Sequence, residues 1–542
     1  MQKLLQINQY VYLVVILIIA AFFRLYNINW DQNYHFHPDE RAIVLFTLPL
    51  HLPITLSEFL SVDSPLNPHF FAYGSLPLYL LKIFGNIAAG ISPVFATYDG
   101  INLVGRVLSA FFDIATIITL FFIGKKLFNT KIGLLASFLY TVSVLPIQLS
   151  HFFAVDTLLT FLILQTLYQL MIFYEKPTFV KGLLVGISFG LALATKISAV
   201  VLTIPIIGSL AFDLRKFFNR FFIDGVTIIF IAIITFVIAE PYSVIDLKTF
   251  LLNNQQQSQM THNAFTFPYT LQYVTKIHYW YELKNIFFWG LGPIIALLSF
   301  LGIFYFTWQR KKTQELILTT FFWIYFAIVG SFAIGFMRYL LPIYPLLCLF
   351  GAVLFLRIVT IFPATYRLLF VICYLLFALI WPLSFMHIYS VPQTKITASN
   401  WIHQNIPKQS TLAVEHWDDR LPISGSEDYH FVEMTLYDQP DDDQKWQILN
   451  QKLTQADYII LASNRLYVPL PKLADCTKYI KCYPKVTQYY EKLFSGSLGF
   501  QKVAEFTSYP TIPLLNIPID DQGADENFTV FDHPKIIIFK KL

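Results

Sequence analysis

Long apolar runs follow one another through residues 1–388, and they constrain the fold more than any other feature of the sequence. A transmembrane helix needs about 20 consecutive apolar residues because the hydrocarbon core of a bilayer is about 30 Å thick. Hydrophobic residues make up 56% of the chain and charged residues only 13%, unlike ordinary soluble domains. The sequence therefore predicts an α-helical polytopic membrane protein with runs at 10–27, 102–124, 132–148, 152–173, 182–212, 223–239, 285–306, 316–334, 339–357 and 368–386.

The charge balance argues against a nucleic-acid-binding protein, and the first apolar run argues against a cleaved signal peptide. The net charge of +4 is thinly spread, without a basic stripe that alternates with aromatic residues, so nucleic acid is not an expected partner. The run from Tyr10 to Phe23 has no small-residue cleavage site after it. It is therefore predicted to be a retained anchor with a cytoplasmic N-terminus, and not a secretory signal peptide.

Cationic clusters between the runs predict which ends face the cytoplasm, because lysine and arginine are enriched in cytoplasmic loops. The segment from Leu76 to Tyr98 is apolar enough to be mistaken for a span, but its internal prolines and polar residues favour a helix lying in the membrane interface. About eleven spans then result, which places the residues after Met386 outside a plasma membrane. The clusters are Lys125, Lys126 and Lys131; Lys176 and Lys181; Arg215, Lys216 and Arg220; Arg310, Lys311 and Lys312; and Arg357 and Arg367.

The run at 182–212 is the informative one, since a cationic cluster on each side requires it to leave and return to the same face. As one helix it would measure about 46 Å, which is too long for a single span and short for two. The interruption at Thr195 and Lys196 predicts two short helices that meet at the outer membrane face. Glycines at every fourth position of the run predict close helix packing: Gly182, Gly186 and Gly190.

The polar tail is predicted to be a separate domain. Residues 1–388 form the transmembrane domain, with a first outer loop at 28–101, and residues 389–542 form an extracytoplasmic soluble α/β domain. A helix at 398–405, strands at 411–415 and 458–462, and a closing pair of strands within 528–539 are expected. Cys476 and Cys482 form a disulfide or remain two unpaired thiols; the sequence leaves both open.

Ionisable residues outside the cytoplasmic loops gather at the outer ends of the predicted spans. Such groups are expensive in membrane proteins and usually functional. They are Asp39, Glu40, Asp156, Lys196, Glu240 and Arg338. Asp113 lies mid-span instead, and Arg106 or a polar cavity is expected to satisfy it. Asp113 keeps a transporter reading open, although transporters place their coupling sites near the midplane on broken helices.

Carboxylates and cations at one membrane face are the catalytic groups that a sugar transfer requires. A carboxylate accepts the proton of an acceptor hydroxyl, while cations stabilise the departing phosphate of a lipid-linked donor. Each residue also has an ordinary alternative role: an acidic loop for Asp39 and Glu40, a helix cap for Asp156, and headgroup anchors for Lys196 and Arg338.

Several segments resemble the GT-C superfamily of polyprenyl-phosphate-dependent glycosyltransferases, nearest its prokaryotic protein O-mannosyltransferase and aminoarabinose-transferase branch. The resemblance runs the length of the chain. The segments that carry it are Arg24-Leu25-Tyr26, His37-Pro38-Asp39-Glu40-Arg41, Tyr73-Gly74-Ser75-Leu76-Pro77-Leu78-Tyr79, Gly105-Arg106-Val107-Leu108-Ser109, Ser150-His151 with Asp156, Ala194-Thr195-Lys196, Arg338-Tyr339-Leu340-Leu341-Pro342-Ile343-Tyr344-Pro345, Glu415-His416-Trp417-Asp418-Asp419, Tyr429-His430 and Phe528-Thr529-Val530-Phe531-Asp532-His533-Pro534-Lys535.

The resemblance implies a GT-C-like fold and an inverting transfer of a mannose-like hexose at the outer membrane face. The implied partners are a polyprenyl-phosphate-linked sugar donor, a protein or glycolipid hydroxyl acceptor and the lipid bilayer. It implies Asp39 as the catalytic base, with Glu40 and Asp156 as the other catalytic residues. The implied phosphate- and substrate-binding residues are Lys196, Arg338, Tyr339, Arg106, Tyr73 and His37.

Two points stay open at this stage. Some members of the superfamily use a divalent metal ion, which Asp39 and Glu40 would hold here, although His35 and His37 beside them lack the spacing of a closed zinc site. Eukaryotic relatives carry a central luminal domain where this chain has only a polar loop at 241–284, so acceptor choice does not carry over. The rival functions are a carrier-lipid flippase, a solute transporter and a non-catalytic scaffold.

Overall fold

Apolar helices account for most of the first 390 residues of the computed structural model, which describes residues 8–211, 218–309 and 313–542. Among the described residues, five helices are long and apolar enough to cross a membrane, or six if the pair Thr130–Thr141 and Val144–Ser150, bent by 59°, forms one span. Six shorter apolar helices accompany them. The fold is thus a helical membrane protein with a sheet-containing C-terminal domain, as the sequence predicts, and the count of about eleven spans stays a prediction.

The helix boundaries follow the apolar runs closely. The helices are Gln9–Leu25, Pro38–Thr47, Leu56–Phe59, Ser75–Ala88, Tyr98–Leu127, Thr130–Thr141, Val144–Ser150, Asp156–Glu175, Phe179–Thr195, Thr203–Ala211, Phe218–Ala239, Tyr242–Ile245, Leu247–His262, Trp280–Asn285, Pro293–Trp308, Thr313–Gly330, Tyr344–Ile361, Ala364–Phe385 and His387–Ser390, with 3-10 turns at Pro93–Ala96, Ile197–Leu202, Pro268–Tyr273 and Met337–Ile343 and a π turn at Ile286–Gly290. Of the cationic clusters, Arg215, Lys216, Arg310, Lys311, Lys312 and the Arg220 side chain lie outside the described residues.

Two compact units make up the described chain. The first comprises Met1–Gln257, Glu282–Ser331 and Met337–Pro382, and the second comprises Ser258–Tyr281, Phe332–Phe336 and Leu383–Leu542. Part of the polar loop at 241–284 therefore belongs to the second unit.

The long run at 182–212 is interrupted where the sequence predicts. The first helix ends at Thr195 with Lys196 as its C-cap, and a 3-10 turn leads into the next helix. A Cβ on Gly186 or Gly190 would lie 2.8 Å or 2.5 Å from a backbone oxygen of the Phe218–Ala239 helix. These two glycines therefore allow the close packing that their spacing predicts, whereas Gly182 has only ordinary contacts.

Gly74 packs against the end of the first helix of this hairpin. Its backbone N–H donates to the carbonyl oxygen of Thr195 at 3.0 Å, and a Cβ here would lie 1.8 Å from the carbonyl oxygen of Ala194. Gly74 is also the N-cap of the Ser75–Ala88 helix. That helix accounts for the apolar segment after Leu76, and its interfacial orientation stays a prediction.

The mid-span Asp113 has a partner that the sequence analysis did not name. Its carboxylate accepts from Arg24 Nε at 2.5 Å and from the Tyr140 hydroxyl at 2.6 Å. Arg24 also donates to the carbonyl oxygen of Thr141. The expectation that Arg106 or a polar cavity satisfies Asp113 is wrong, because Arg106 faces other carboxylates and Arg24 is fully buried against Asp113.

A five-stranded sheet forms the centre of the second unit. Its strands are β1 (Thr411–Glu415), β2 (His430–Met434), β3 (Tyr458–Leu461), β4 (Phe500–Phe506) and β7 (Ile536–Lys541), while β5 (Thr511–Ile512) and β6 (Ile517–Pro518) form a separate pair. The order is β2-β1-β3-β7-β4, with β1 parallel to β2 and to β3 and the remaining pairs antiparallel. Helices Thr394–Asn405, Asp443–Gln455, Pro484–Phe494 and Glu526–Thr529 complete the unit, with 3-10 turns at Ser426–Asp428 and Leu470–Leu473.

The two faces of this sheet bury separate apolar clusters. Alternate residues of β1 point to opposite faces, so Leu412 and Val414 enter one cluster and Ala413 the other. The strand at 411–415 is confirmed at both ends, the strand at 458–462 ends one residue earlier, and the helix at 398–405 begins four residues earlier. The predicted strand pair within 528–539 is half wrong: Asp525 caps a short helix over Glu526–Thr529, which leaves only β7 as a strand. Cys476 and Cys482 are joined by a disulfide.

Breaking the Arg24–Asp113 pair is expected to destabilise the purified protein strongly. Asp113→Leu leaves a buried guanidinium without its carboxylate, which costs about 3–5 kcal/mol in soluble proteins. Thermal unfolding in detergent measures the effect. The double variant Arg24→Met with Asp113→Leu should unfold at a higher temperature than either single variant, and equal stability of Asp113→Leu and wild type would refute the assignment.

Gly74→Ala is expected to lower the unfolding temperature, because the added methyl group meets a backbone oxygen that cannot move alone. Overpacking of this kind costs about 1–3 kcal/mol. Gly208→Ala is the matched control, since a Cβ there has no atom within 4 Å. An unchanged unfolding temperature for Gly74→Ala would contradict the close approach.

Candidate active site

His37 sets the start of the helix that carries the acidic motif. It is the N-cap of Pro38–Thr47, and its Nδ1 accepts a hydrogen bond from the Glu40 backbone N–H at 3.4 Å. The ring packs against Phe152 with centroids 4.5 Å apart. Burial, together with Arg338 and other nearby cations, holds the pKa of His37 well below its ordinary value, so the ring remains a neutral acceptor. His37 therefore orients the first turn, where Asp39 and Glu40 lie.

Glu40 is turned into the protein. Its carboxylate accepts from Arg106 Nε at 3.0 and 3.2 Å and from the Phe153 backbone N–H at 3.2 Å. Arg106 also donates to both carboxylate oxygens of Asp31, at 2.9 and 2.7 Å. Burial raises the pKa of Glu40 to about 7, although Arg106 acts in the opposite direction. Glu40, Arg106 and Asp31 thus form one buried network that holds the first outer loop to the Tyr98–Leu127 helix.

The sequence analysis missed Asp31, which is fully buried in this network. No motif contains it, and only its position in the first outer loop could have drawn attention to it. Arg106 is also fully buried, and its donors are directed at two carboxylates and the Ile28 carbonyl oxygen. This arrangement supports a structural role for Arg106 instead of contact with substrate.

Asp39 faces the other way and forms an ion pair with Arg338. The two side chains are 20% and 16% exposed, so the pair is accessible where the Glu40 network is not. Arg338 lies in the Met337–Ile343 turn, which leads into the Tyr344–Ile361 helix. The structure therefore joins the acidic motif to the late arginine motif, which is far away in sequence.

A second ion pair involves the other two predicted charges. Lys196 Nζ lies 3.5 Å from Asp156 Oδ1. Asp156 opens the Asp156–Glu175 helix, and Lys196 closes the Phe179–Thr195 helix. The Lys196 side chain remains 16% exposed.

Tyr339 brings the two ion pairs together. Lys196 Nζ lies 4.2 Å from the centroid of the Tyr339 ring, and the Arg338 guanidinium carbon lies 5.7 Å from it. Both cations thus make cation–π contacts with one ring. We call Asp39, Asp156, Lys196, Arg338 and Tyr339 the charge cluster.

Tyr73 packs against aromatic and apolar side chains of the first unit. Its ring packs edge-on against Phe70 with centroids 5.8 Å apart, beside the buried apolar cluster that includes Ile43 and Leu78. The predicted role of Tyr73 in binding substrate stays a prediction. Glu240, another of the outer charges, is buried and accepts a hydrogen bond from the Ser75 backbone N–H.

A divalent ion at Asp39 and Glu40 does not fit this arrangement. Asp39 is paired with Arg338 and Glu40 with Arg106, and the two carboxylates face different partners. In the part of the chain that the structure describes, no three His, Cys, Asp or Glu side chains are grouped to hold a metal ion. Metal dependence stays an untested prediction.

Sequence comparison matches part of the helical unit to a known family. Residues 93–238, which contain Asp156 and Lys196, match the family model described as dolichyl-phosphate-mannose-protein mannosyltransferase. No curated protein sequence matches the chain.

Solved structures share the fold at low sequence identity. The archaeal oligosaccharyltransferase AglB from Archaeoglobus fulgidus, in complex with an inhibitory peptide and a dolichol-phosphate, has a TM-score of 0.52 and 13% identity over 97% of this chain and 77% of its own. The apo form of the Archaeoglobus fulgidus oligosaccharyltransferase has a TM-score of 0.51 and 12% identity over 96% and 76%. ArnT from Cupriavidus metallidurans, bound to undecaprenyl phosphate, has a TM-score of 0.43 and 11% identity over 83% and 92%.

At these identities the two oligosaccharyltransferase structures speak for the fold alone, and the family match covers the part of that fold in which the Asp156–Lys196 pair lies. The chain thus contains a segment similar to this mannosyltransferase family and has a fold similar to that of the archaeal oligosaccharyltransferases.

Proposed function

We propose that this protein is a glycosyltransferase that moves a mannose-like hexose from a polyprenyl-phosphate carrier to a hydroxyl group of a protein or glycolipid, with inversion at the sugar's anomeric carbon. Asp39 is the catalytic base, and Arg338 and Lys196 bind the carrier phosphate. The observation that carries the proposal is the charge cluster, in which two partly exposed cations contact one tyrosine ring while each is paired with a carboxylate.

The charge cluster suits a phosphate ligand because a bound phosphate can replace the carboxylates as the ion-pair partner of the two cations. An arriving phosphate exchanges charge-assisted hydrogen bonds with Arg338 and Lys196. That exchange loosens the Asp39–Arg338 pair and exposes a carboxylate oxygen beside the donor's reactive end. Binding of the donor's phosphate thus frees the Asp39 carboxylate to act as the base.

The transfer step then balances as a single displacement. Asp39 takes the proton of the acceptor hydroxyl, and the acceptor oxygen attacks the anomeric carbon on the face opposite the phosphate. The bond between the anomeric carbon and the phosphate oxygen breaks, and its electron pair leaves with the polyprenyl phosphate. Arg338 and Lys196 stabilise the charge that develops on this leaving group.

The remaining site residues support this chemistry. Asp156 holds Lys196 in place through the 3.5 Å ion pair. Glu40 and Arg106 anchor the loop that presents Asp39, and His37 caps its helix. Glu40 is therefore a positioning residue in this proposal, because its carboxylate is buried and occupied by Arg106.

Relatives support the choice of donor and acceptor. The matched family model is named for dolichyl-phosphate mannose and for protein as acceptor. The AglB structure of similar fold holds a dolichol-phosphate and a peptide. A peptide or lipid hydroxyl acceptor and a polyprenyl-phosphate donor follow for this chain by analogy of fold.

We place the protein in the cell membrane with a cytoplasmic N-terminus and an extracytoplasmic tail. The cationic clusters support this orientation through the positive-inside rule. The Cys476–Cys482 disulfide supports an oxidising environment for the second unit.

Asp39→Asn is expected to lower the rate of transfer by about 10²- to 10⁴-fold, since a general base contributes about that much. The variant should keep the wild-type unfolding temperature, because the amide has the size of the carboxylate and occupies the same partly exposed position. Transfer of radiolabelled mannose from synthetic polyprenyl-phosphate mannose to endogenous acceptors, in membranes with equal amounts of each protein, measures the rate. Glucose, galactose and N-acetylglucosamine donors test the choice of sugar.

Label that appears in protein or glycolipid only with wild type would support the transferase and identify the class of acceptor. Full activity of correctly folded Asp39→Asn would show that another group is the base. A finding of no transfer from any donor, with carrier lipid crossing the bilayer of reconstituted vesicles, would favour the flippase alternative.

A further inference from the structure

Glu240 is the one predicted outer charge that the proposed chemistry does not use. The other five form ion pairs with one another or with Arg106, whereas Glu240 has no cationic partner in the described part of the chain. Glu240 is nonetheless only 1% exposed. Burying a carboxyl group is costly unless it is hydrogen-bonded, so the hydrogen bond that this group makes indicates its role.

The Glu240 carboxyl group caps a helix whose own N-cap has no side chain. Ser75 opens the Ser75–Ala88 helix, and the first N–H groups of a helix have no partners within it. A polar N-cap side chain usually accepts from one of these groups, but the N-cap here is Gly74. The carboxyl group of Glu240 instead accepts from the Ser75 backbone N–H. A residue at the end of the Phe218–Ala239 helix thus caps a helix that is distant in sequence.

Gly74 leaves no room for a capping side chain because it lies against the hairpin at 182–212. A Cβ at this position would lie 1.8 Å from the carbonyl oxygen of Ala194, and the Gly74 N–H donates to the carbonyl oxygen of Thr195 at 3.0 Å. Two adjacent N–H groups therefore have two different partners, the hairpin for Gly74 and Glu240 for Ser75. The contact with Glu240 holds the Gly74-Ser75 segment against the end of the first hairpin helix.

Lys196 follows directly after this contact. It is the C-cap of the Phe179–Thr195 helix, and its extended backbone is tied to that helix by a hydrogen bond from its N–H to Ala192. Its ammonium group lies 3.5 Å from Asp156 Oδ1 and 4.2 Å from the centroid of the Tyr339 ring. Because a lysine side chain is flexible, a fixed backbone is needed to hold the ammonium group at these distances.

The Glu240 carboxyl group is uncharged at neutral pH. Burial raises its pKa to about 9, and only the Ser75 hydrogen bond acts in the opposite direction. A protonated carboxyl group still accepts a hydrogen bond through its carbonyl oxygen. Glu240 therefore caps the helix without adding a negative charge that would compete with a phosphate for Lys196.

We propose that Glu240 is a positioning residue for the phosphate-binding cation Lys196. It acts through Ser75 and Gly74, which fix the hairpin at Thr195. The inference rests on the proposed function, in which Lys196 binds the carrier phosphate. It assigns a role in donor binding to a residue outside the charge cluster.

The affinity for undecaprenyl phosphate, measured with the full-length protein in lipid nanodiscs, tests this role. Glu240→Met keeps the approximate size of the side chain and removes the acceptor, so it should weaken binding about tenfold. Glu240→Gln keeps an uncharged acceptor and should bind the carrier as wild type does. Thermal unfolding of each variant confirms that the compared proteins are folded.

Substitutions of Ser75 test the same hydrogen bond from the donor's side. Ser75→Pro removes the N–H at the first helical position, where proline is favoured, and the φ of −70° and ψ of 163° at Gly74 suit a following proline. Ser75→Ala is the matched control, since it removes the hydroxyl group and keeps the N–H. Ser75→Pro should bind the carrier about tenfold more weakly, and Ser75→Ala should bind it as wild type does.

A double-mutant cycle separates positioning from general damage to the fold. If Glu240 acts through Lys196, Glu240→Met should weaken binding in the wild-type background and not in the Lys196→Gln background. Equal weakening in both backgrounds would overturn the inference. Unchanged affinity of Glu240→Met and Ser75→Pro, with weakened binding by Lys196→Gln, would also overturn it and leave the proposed function intact. A wild type that does not bind undecaprenyl phosphate would overturn the proposed function, and the inference with it.

Discussion

Pairing of opposite charges organises the helical unit, from the fully buried Arg24–Asp113 pair to the partly exposed charge cluster. An unpaired ionised group is costly in and beside a bilayer, so arginines and lysines there require carboxylate partners. Arg24 has Asp113, Arg106 has Glu40 and Asp31, Lys196 has Asp156, and Arg338 has Asp39. Each pair joins segments that are distant in sequence, and together they fix the first loop, the outer hairpin and the Met337–Ile343 turn.

These pairs differ in exposure, and that difference separates structural from chemical roles. The side chains of the Arg24–Asp113 pair and of the Arg106 network are fully buried, whereas those of the Asp39–Arg338 pair are 20% and 16% exposed. A buried pair cannot exchange its partner without leaving an uncompensated charge. An accessible pair can exchange a carboxylate for a phosphate. The proposed chemistry therefore belongs to the charge cluster around Tyr339, and the buried pairs hold that cluster in place.

Much of this arrangement is predictable from the sequence, because local signals carry it. The Thr195-Lys196 interruption located the hairpin, glycine spacing located a close helix contact, and the charges selected from the sequence included all four members of the two ion pairs in the charge cluster. The partner of a buried charge is different. Asp113 pairs with Arg24 rather than with Arg106 on its own helix, and this choice depends on tertiary packing that no spacing rule contains.

Neighbouring residues of one motif also have partners that the sequence does not predict. Asp39 and Glu40 are equivalent in sequence, yet a helix separates successive side chains by about 100° of rotation, so one faces Arg338 and the other Arg106. The short helix at Glu526–Thr529 is a further case, in which the Asp525 cap prevails over residues that favour a strand. Helix capping and burial thus give different roles to residues that look equivalent in the sequence.

The central claim is that the carrier phosphate displaces Asp39 from Arg338. The affinity of undecaprenyl phosphate without a sugar, measured for wild type and Asp39→Asn in nanodiscs, tests it most directly. If the carboxylate competes with the phosphate for Arg338, Asp39→Asn will bind the carrier several-fold more tightly than wild type, and Arg338→Gln will bind it more weakly. Equal or weaker binding by Asp39→Asn would contradict the account.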